Sequence, residues 1–374
     1  MKNLQTAAPE LPGHELEQEN QGYDVVVFCH LRWEFVYQRP QHIISRLSRD
    51  RRVLFVEEPI GFSPDEENTS RRIDISDTLH VLQPRVSDIE SIGPLLKEYM
   101  KSDSIAVGWF YSAAFSPLID QIGFDSIVYD CMDELTLFKG APQSLISQEK
   151  FLIGCADVVF TGGKSLFESK KDLHPNVHCF PSSVDQPHFA QALNGILTPE
   201  DIVSIPHPIV GYFGVIDERI DLGLLSQTAS ENTEVSFVMI GPLAKIGEDE
   251  LPRAGNIHYL GIKSYSELPN YVKAFDIAMM PFALNDATRF ISPTKTLEYM
   301  AAGKPIISTR ISDVVRDYSN CVELVDSASG FKSAISRILS FADRYPSDYS
   351  EILRKTSWDA TVSAMKQQMK QPAS

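Results

Sequence analysis

The chain has 374 residues, more than one typical hydrophobic core accommodates, and its length predicts two domains. Its 43% hydrophobic and 22% charged content is that of a globular protein rather than a disordered or fibrous one, and no apolar run approaches the roughly 20 residues of a membrane-spanning helix. A formal net charge of −16 argues against broad nucleic-acid binding, because nothing offsets phosphate repulsion globally.

Residues 1–20 read as a disordered acidic leader, polar and unlike a signal peptide, so a cytoplasmic location is expected. The five cysteines (Cys29, Cys131, Cys155, Cys179, Cys321) are scattered, without metal-ligand or CxxC spacing, and reduced, buried thiols are expected. From residue 21 a run of strands begins. Asp24 to His30 is short, apolar and Val-rich, as a buried parallel strand is. A loop from Leu31 to Gln41 leads into a helix from His42 to Asp50, where Arg46, Arg49, Arg51 and Arg52 crowd the end. These can meet the anionic cytoplasmic face of a membrane as a weak peripheral contact, or form a solvated helix end.

Val53 to Pro59 is the second strand, Ser63 to Ser76 a loop, Leu79 to Arg85 a strand, Asp88 to Lys101 a helix and Ser104 to Ser112 a strand. A short helix from Phe115 to Gly123, a strand from Ser126 to Glu134, a helix from Ser147 to Ala156, a strand from Asp157 to Gly163 and a helix from Lys164 to Leu173 follow. Asn176 to Asp185 is the last strand with its exit loop. Strands alternating with helices predict a doubly wound parallel sheet over residues 21–192. Ligands bind beyond the carboxyl ends of such strands, which places His30 to Trp33, Tyr111, Ser112, Asp130 to Glu134, Gly162 to Lys164 and Ser182 to Asp185 on one rim.

Residues 193–207 break the rhythm with spaced prolines, as a linker does. Over 208–345 the pattern restarts, with strands at Ile209, Val235, Asn256, Asp276, Ile306 and Cys321, and helices at Asp221 to Ser230, Tyr265 to Phe275 and Gly330 to Ala342. Residues 346–374 offer a helix, Asp348 to Gln368, after the second sheet is complete; the first domain is the place left for it to pack.

The segment from Phe282 to Arg310 carries the most local information. Ser292 before Pro293 reads as a helix start, with Ser292 as the cap. Leu297, Met300 and Ala301 form a buried stripe, and Gly303 ends the helix in the left-handed conformation. A helix N-terminus presents free N–H groups and partial positive charge, so the turn from Ser292 through Thr294 and Lys295 to Thr296 is an anion site, with phosphate its natural occupant. Glu298, one turn in and expected to face solvent, can accept hydrogen bonds from sugar hydroxyls. An exposed Lys295–Glu298 pair on an ordinary αβ unit is the competing reading.

These residues, together with Asn256 to Phe282, resemble the donor domain of GT-B glycosyltransferases, especially the large retaining family 4. The resemblance covers Pro208 to Trp358 well and the first half mainly by topology. The segment from His30 to Leu47 is also similar to a bacterial subgroup of polysaccharide glycosyltransferases. The fold so implied is two Rossmann-like doubly wound domains facing across a cleft, with a C-terminal helix crossing back to the first. Glu298 matches the second carboxylate of the family's Glu-x7-Glu pattern, which contacts the ribose; Phe290 stands at the first, a departure. Ser292, Thr294 and Lys295 match the loop that approaches the diphosphate. In the segment from Gly211 to Asp221, Gly214 is kept but only Arg219 is offered where the family has an Arg and a Lys. Ile262, Lys263 and Ser264 fall where backbone groups frame the base.

The resemblance implies a glycosyltransferase that moves a hexose from a nucleotide diphosphate sugar, UDP-linked, to a glycan or glycolipid acceptor in surface polysaccharide synthesis. No cofactor is called for beyond the sugar nucleotide substrate. Arg219 and Lys295 can stabilise the departing diphosphate without metal; the only triplet comparable to an Asp-x-Asp metal motif, Glu248 to Glu250, reads as a solvated turn. Asp133 is the candidate for acceptor activation or sugar contact, since clustered rim carboxylates acquire raised pKa values; Met132 holds the place of a His found in relatives, and helix capping is the competing role for Asp133. Arg32, Trp33 and Arg39 are candidate acceptor contacts, Trp33 alternatively being core. Two rival functions remain: a non-catalytic glycosyltransferase-like scaffold subunit, and a sugar-nucleotide epimerase of the same fold.

Overall fold

The computed structural model describes residues 22–100, 104–341 and 348–369; the expected acidic leader lies outside the described residues. Two sheets organise the chain. The first contains β1 (Val25–Cys29), β2 (Val53–Glu57), β3 (Thr69–Ser76), β4 (Leu79–Arg85), β5 (Ser104–Phe110), β6 (Gly123–Cys131), β7 (Val158–Thr161) and β8 (Val177–Cys179), in the order β3-β4-β2-β1-β5-β6-β7-β8. Side chains alternate across a strand, so Val26, Phe28, Leu54 and Val56 enter one apolar cluster while Val25, Val27, Val53 and Phe55 enter another on the opposite face. Burial on both faces is what makes these runs continuously apolar.

The second sheet contains β9 (Ile209–Phe213), β10 (Ser236–Ile240), β11 (Ile257–Tyr259), β12 (Ile277–Met280), β13 (Ile306–Thr309) and β14 (Glu323–Val325), in the order β11-β10-β9-β12-β13-β14. All its pairings are parallel. The chain is thus a two-domain α/β protein with two doubly wound sheets.

Several local expectations are corrected. Thr69–Ser76, expected as loop, is β3, paired antiparallel with β4; its polar, mostly exposed sequence is that of an edge strand, where charge blocks further pairing. The helix expected over Asp88 to Lys101 shrinks to Ile92–Leu96. The short helix expected from Phe115 is a 3-10 helix, Ala113–Asp120, with Pro117 inside it and therefore one amide fewer to donate. The first helix starts at Arg39 rather than His42, because Pro40 suits a first turn and Gln41 Oε1 accepts the Gln38 amide at 3.0 Å. The segment expected as a linker packs: Ile202 and Ile205 are buried in the core of the second domain.

The final segment is two helices, Ser350–Lys355 and Trp358–Gln368, separated by the Ser357 cap, whose side chain accepts the Ala360 amide. Leu353 joins the second-domain core, whereas Trp358, Val362 and Met365 join the first, so the last helix does cross back. The Trp358 indole stacks on His42 at 4.8 Å with an 11° interplanar angle. Around it Arg46 and Arg49 pair with Asp359, and Lys366 with Asp50. Of the clustered arginines, Arg46 is largely buried against this helix, whereas Arg49 makes its pair in solvent.

The domains also touch directly. Asp313 in the second domain is 3% exposed, and its carboxylate accepts the Lys164 amide at 2.9 Å and the Ser165 amide at 3.0 Å. It caps the helix Lys164–Lys170 of the first domain, putting negative charge on the positive helix end. Phe290, from the second domain, packs against the first-domain core, and the Ser182 hydroxyl donates to the Ser292 carbonyl at 2.7 Å.

Candidate active site

The facing domains enclose a cleft of about 650 Å³, lined by residues from the carboxyl ends of strands in both sheets. This is where open parallel sheets bind ligands.

The second-domain wall is built on the helix Thr294–Ala301. Pro293, not Ser292, occupies the cap position, with no side-chain cap hydrogen bond; the Ser292 carbonyl accepts the Ser182 hydroxyl across the domain boundary. Leu297, Met300 and Ala301 are buried as expected, and Gly303, at φ 65°, ends the helix. There the Lys304 amide donates to the Tyr299 carbonyl and the Gly303 amide to the Met300 carbonyl, each at 3.0 Å, the paired closure a left-handed residue permits. At the other end the Thr296 amide is bonded back to the Pro293 carbonyl at 3.2 Å, which leaves the amides of Thr294 and Lys295, two residues that line the cleft, as the ones a ligand can take.

Lys295 lies between this turn and β9. Its ammonium sits 5.7 Å from the Tyr212 ring centroid and 5.9 Å from that of Phe213. Burial lowers its pKa, opposed by the charge of Glu298. Glu298 is 6% exposed, not solvent-facing as expected; burial pushes its carboxyl up to about 7, with Lys295 only partly countering. The expectation failed because the helix is packed on nearly every side, between sheet and cleft.

Charge pairing separates the cations of the cleft. Arg219 is forked onto Asp217, Nε to Oδ1 at 3.0 Å and Nη2 to Oδ2 at 2.7 Å. Arg39 is forked onto Asp130, with Nη1 donating to the Phe180 carbonyl at 2.7 Å. Lys263 turns away to Asp201 at 2.6 Å. Lys295 makes no ion pair among the described residues. An unpaired, partly buried cation beside a helix N-terminus is a site for an anion.

Every expected donor residue, namely Gly214, Arg219, Ile262, Lys263, Ser264, Ser292, Thr294, Lys295 and Glu298, lines this one cleft. The Lys263 ammonium and the Ser264 hydroxyl, bonded to Glu267 at 2.6 Å, are spent on their own neighbourhood, which leaves that stretch to offer backbone. On the opposite wall Asp133 lines the cleft, and burial pushes its carboxyl up to about 6, Arg219 pulling it down and Asp217 up.

The expected acceptor residues divide. Arg32 is not brought to the cleft: its guanidinium donates to Glu57 at 3.2 Å, to the Glu58 carbonyl and to the Pro59 carbonyl at 3.2 Å, fastening the exit of β2. Trp33 lines the cleft but is 9% exposed, edge-on to Phe55 at 5.0 Å and part of the core. Arg39 reaches the cleft already paired. Sequence reasoning missed Asp217, which orients Arg219, and Tyr265, whose ring stacks between Tyr37 at 4.5 Å and His188 at 4.2 Å. Asp217 was findable two residues before the arginine, whereas the ring stack joins segments far apart in the chain and left no local signal. Glu248–Glu250 is an exposed 3-10 turn.

Two doubly wound domains, a cleft between their strand ends and a terminal helix returning to the first domain define the GT-B fold of glycosyltransferases. Solved structures agree. Sucrose-phosphate synthase from Thermosynechococcus elongatus superposes with a TM-score of 0.70 at 13% identity, covering 92% of this chain and 97% of that one. A UDP-forming trehalose-phosphate synthase from Burkholderia xenovorans gives 0.68 at 11%, covering 94% and 99%, and Anabaena HepE in complex with UDP and glucose gives 0.65 at 12%, covering 92% and 98%. Residues 207–340 match the family Glycosyl transferases group 1. A Bacillus subtilis (strain 168) protein named, provisionally, as a teichuronic acid biosynthesis glycosyltransferase, TuaH, is 25% identical over 220 residues. The match takes in 54% of this chain and about half, 55%, of that relative.

Proposed function

We propose that this protein is a glycosyltransferase that moves a hexose from a UDP-linked sugar to a glycan or glycolipid acceptor in surface polysaccharide synthesis. The observation that carries the reading is Lys295, an unpaired and partly buried ammonium at the N-terminus of the helix Thr294–Ala301, with the carboxylate of Glu298 one turn behind it. In this reading the donor diphosphate takes the amides of Thr294 and Lys295 and the Lys295 ammonium, the ribose hydroxyls donate to Glu298, and backbone groups of Ile262 to Ser264 meet the base. Arg219 contributes the guanidinium nitrogen that Asp217 leaves free.

Transfer breaks the bond between the anomeric carbon and the diphosphate oxygen and forms one from that carbon to an acceptor hydroxyl oxygen, whose proton goes to a carboxylate or to the departing diphosphate; the charge left on the diphosphate is stabilised by Lys295, Arg219 and the helix end. The two protein cations supply this without a metal ion. In this reading Asp133, on the opposite wall, accepts the proton of an acceptor hydroxyl or holds the transferred sugar. Retention of configuration follows the resemblance to family 4, and the choice of UDP follows the UDP named in two of the structural neighbours.

The test is a melting-temperature panel with UDP, GDP, ADP and TDP. A ligand at 100 times its dissociation constant stabilises by about 2.7 kcal/mol, so the bound base should stand apart. No shift with any of the four overturns the reading.

A further inference from the structure

Part of the first-domain wall is apolar where free cations were expected. Arg32 lies outside the cleft and Arg39 is closed on Asp130. In their place stand Phe35, 39% exposed, and Ile75, 40% exposed, both lining the cleft together with Val36 and Met132. Neither has a packing reason to face water. Ile75 belongs to β3, whose other outward residues include Arg71, Arg72 and Asp74.

The backbone itself turns Ile75 toward the cleft. Asp74 pairs with His80 and Ser76 with Leu79, so Ile75 is the extra residue of an irregularity in the β3–β4 ladder. Such bulges re-aim one side chain. Ile73, two residues earlier, packs against the first-domain core, so the strand passes from core contact to cleft contact across this bulge. A sugar alone calls for hydroxyl partners around a flat ring face; a branched aliphatic beside a phenyl ring gains instead from hydrocarbon burial. Glu34, on the same wall, disfavours an anionic occupant.

We propose that Phe35 and Ile75 form a lip for a neutral hydrocarbon chain, so that the acceptor is amphipathic, its sugar toward Asp133 and its chain leaving across these two side chains. The inference rests on the reading of the cleft as a donor and acceptor site, and narrows the acceptor class.

Binding of octyl glucoside, below its micelle concentration, is compared with binding of methyl glucoside in the presence of UDP. The readout is tryptophan fluorescence: Trp33 lines the cleft, whereas Trp109 and Trp358 are 1% and 0% exposed. The octyl compound should bind at least tenfold more tightly. In the Phe35→Ser/Ile75→Ser double variant, which alters only part-exposed side chains, the preference should fall below threefold while UDP affinity stays within twofold. Equal binding of the two glucosides, no detectable binding of the octyl compound, or a preference undiminished in the double variant overturns the lip. UDP affinity, read separately, tests the glycosyltransferase reading: its absence beside an intact octyl preference would count against that reading and for the lip.

Discussion

Lys295 occupies the space that a side chain at Gly214 would need. A β-carbon added to Gly214, which has φ 138°, would fall well inside van der Waals contact of Lys295 Cε, 2.6 Å from its Nζ and 2.9 Å from the Tyr212 hydroxyl. The glycine is therefore the seat of the lysine, and Gly214→Ala should displace the ammonium as well as strain the backbone. Affinity for UDP should drop tenfold or more by calorimetry, even though the lysine is still present. Unchanged affinity would remove Lys295 from the anion site.

The two cations should not be equivalent. Arg219 is already neutralised by Asp217, and Lys295 is not, so Lys295→Ala should cost more in UDP affinity, about 1.5–3 kcal/mol for a charged hydrogen bond, than Arg219→Ala. Both should lower turnover, and turnover of the unaltered protein should survive EDTA. Loss of activity in chelator with recovery in Mg²⁺ or Mn²⁺ would sink the metal-free clamp.

Glu298 trades stability for binding. Its folded pKa of about 7 lies above its ordinary value of 4.5. The native state thus binds the proton more tightly than the unfolded chain does; the stabilisation this gives is complete below about 4.5 and is lost as pH rises through 7. Glu298→Gln keeps the shape without the charge, so it should raise the apo melting temperature at pH 8, by the equivalent of about 1–3 kcal/mol, with the gain vanishing near pH 5. The same variant should bind UDP more weakly. A pH-independent difference in melting would contradict a buried, ionising Glu298.

Asp133 should show itself in the acidic limb of the rate profile. With its carboxyl near 6, the ionised form is lost as pH falls through that value, and transfer should fall with it. Asp133→Asn should reduce transfer tenfold or more, flatten that limb and leave UDP affinity within threefold, below about 1 kcal/mol. Loss of UDP binding in the folded variant would move Asp133 to the donor side.

Trp358 should matter for stability rather than chemistry. It is 0% exposed and stacked on His42, on a helix that the Arg46–Asp359 pair ties to the first domain. Trp358→Ala should cost about 3–5 kcal/mol, as large-to-small core changes do, measured by urea unfolding. A loss below 1 kcal/mol would mean that the returning helix is not part of the first core.

The architecture was legible because parallel strands buried on both faces are continuously apolar, as Val25 to Cys29 and Ile277 to Met280 show. β3 was not, because an edge strand carrying Arg71, Arg72 and Asp74 reads as loop. The helix Thr294–Ala301 was legible from Pro293 and Gly303, which encode helix ends locally. What stayed hidden was set by partners distant in sequence: Asp130 claiming Arg39, Glu57 claiming Arg32, and Ser182 bonding the Ser292 carbonyl across the domain boundary. The burial of Glu298 was hidden for the same reason, since its neighbours come from other segments.

The cap that Asp313 places on the helix Lys164–Lys170 joins the two domains across the boundary of the cleft. Losing an N-terminal cap costs about 0.5–2 kcal/mol, which taken alone favours the joined form by a factor of roughly 2 to 30. That bias sets a population: in the glycosyltransferase reading proposed above, nucleotide would leave through a mouth that this contact, by itself, leaves open between about 3% and a third of the time. Asp313→Ala would raise that fraction and quicken release, making the speed of product escape a property of a side chain remote from the reacting atoms.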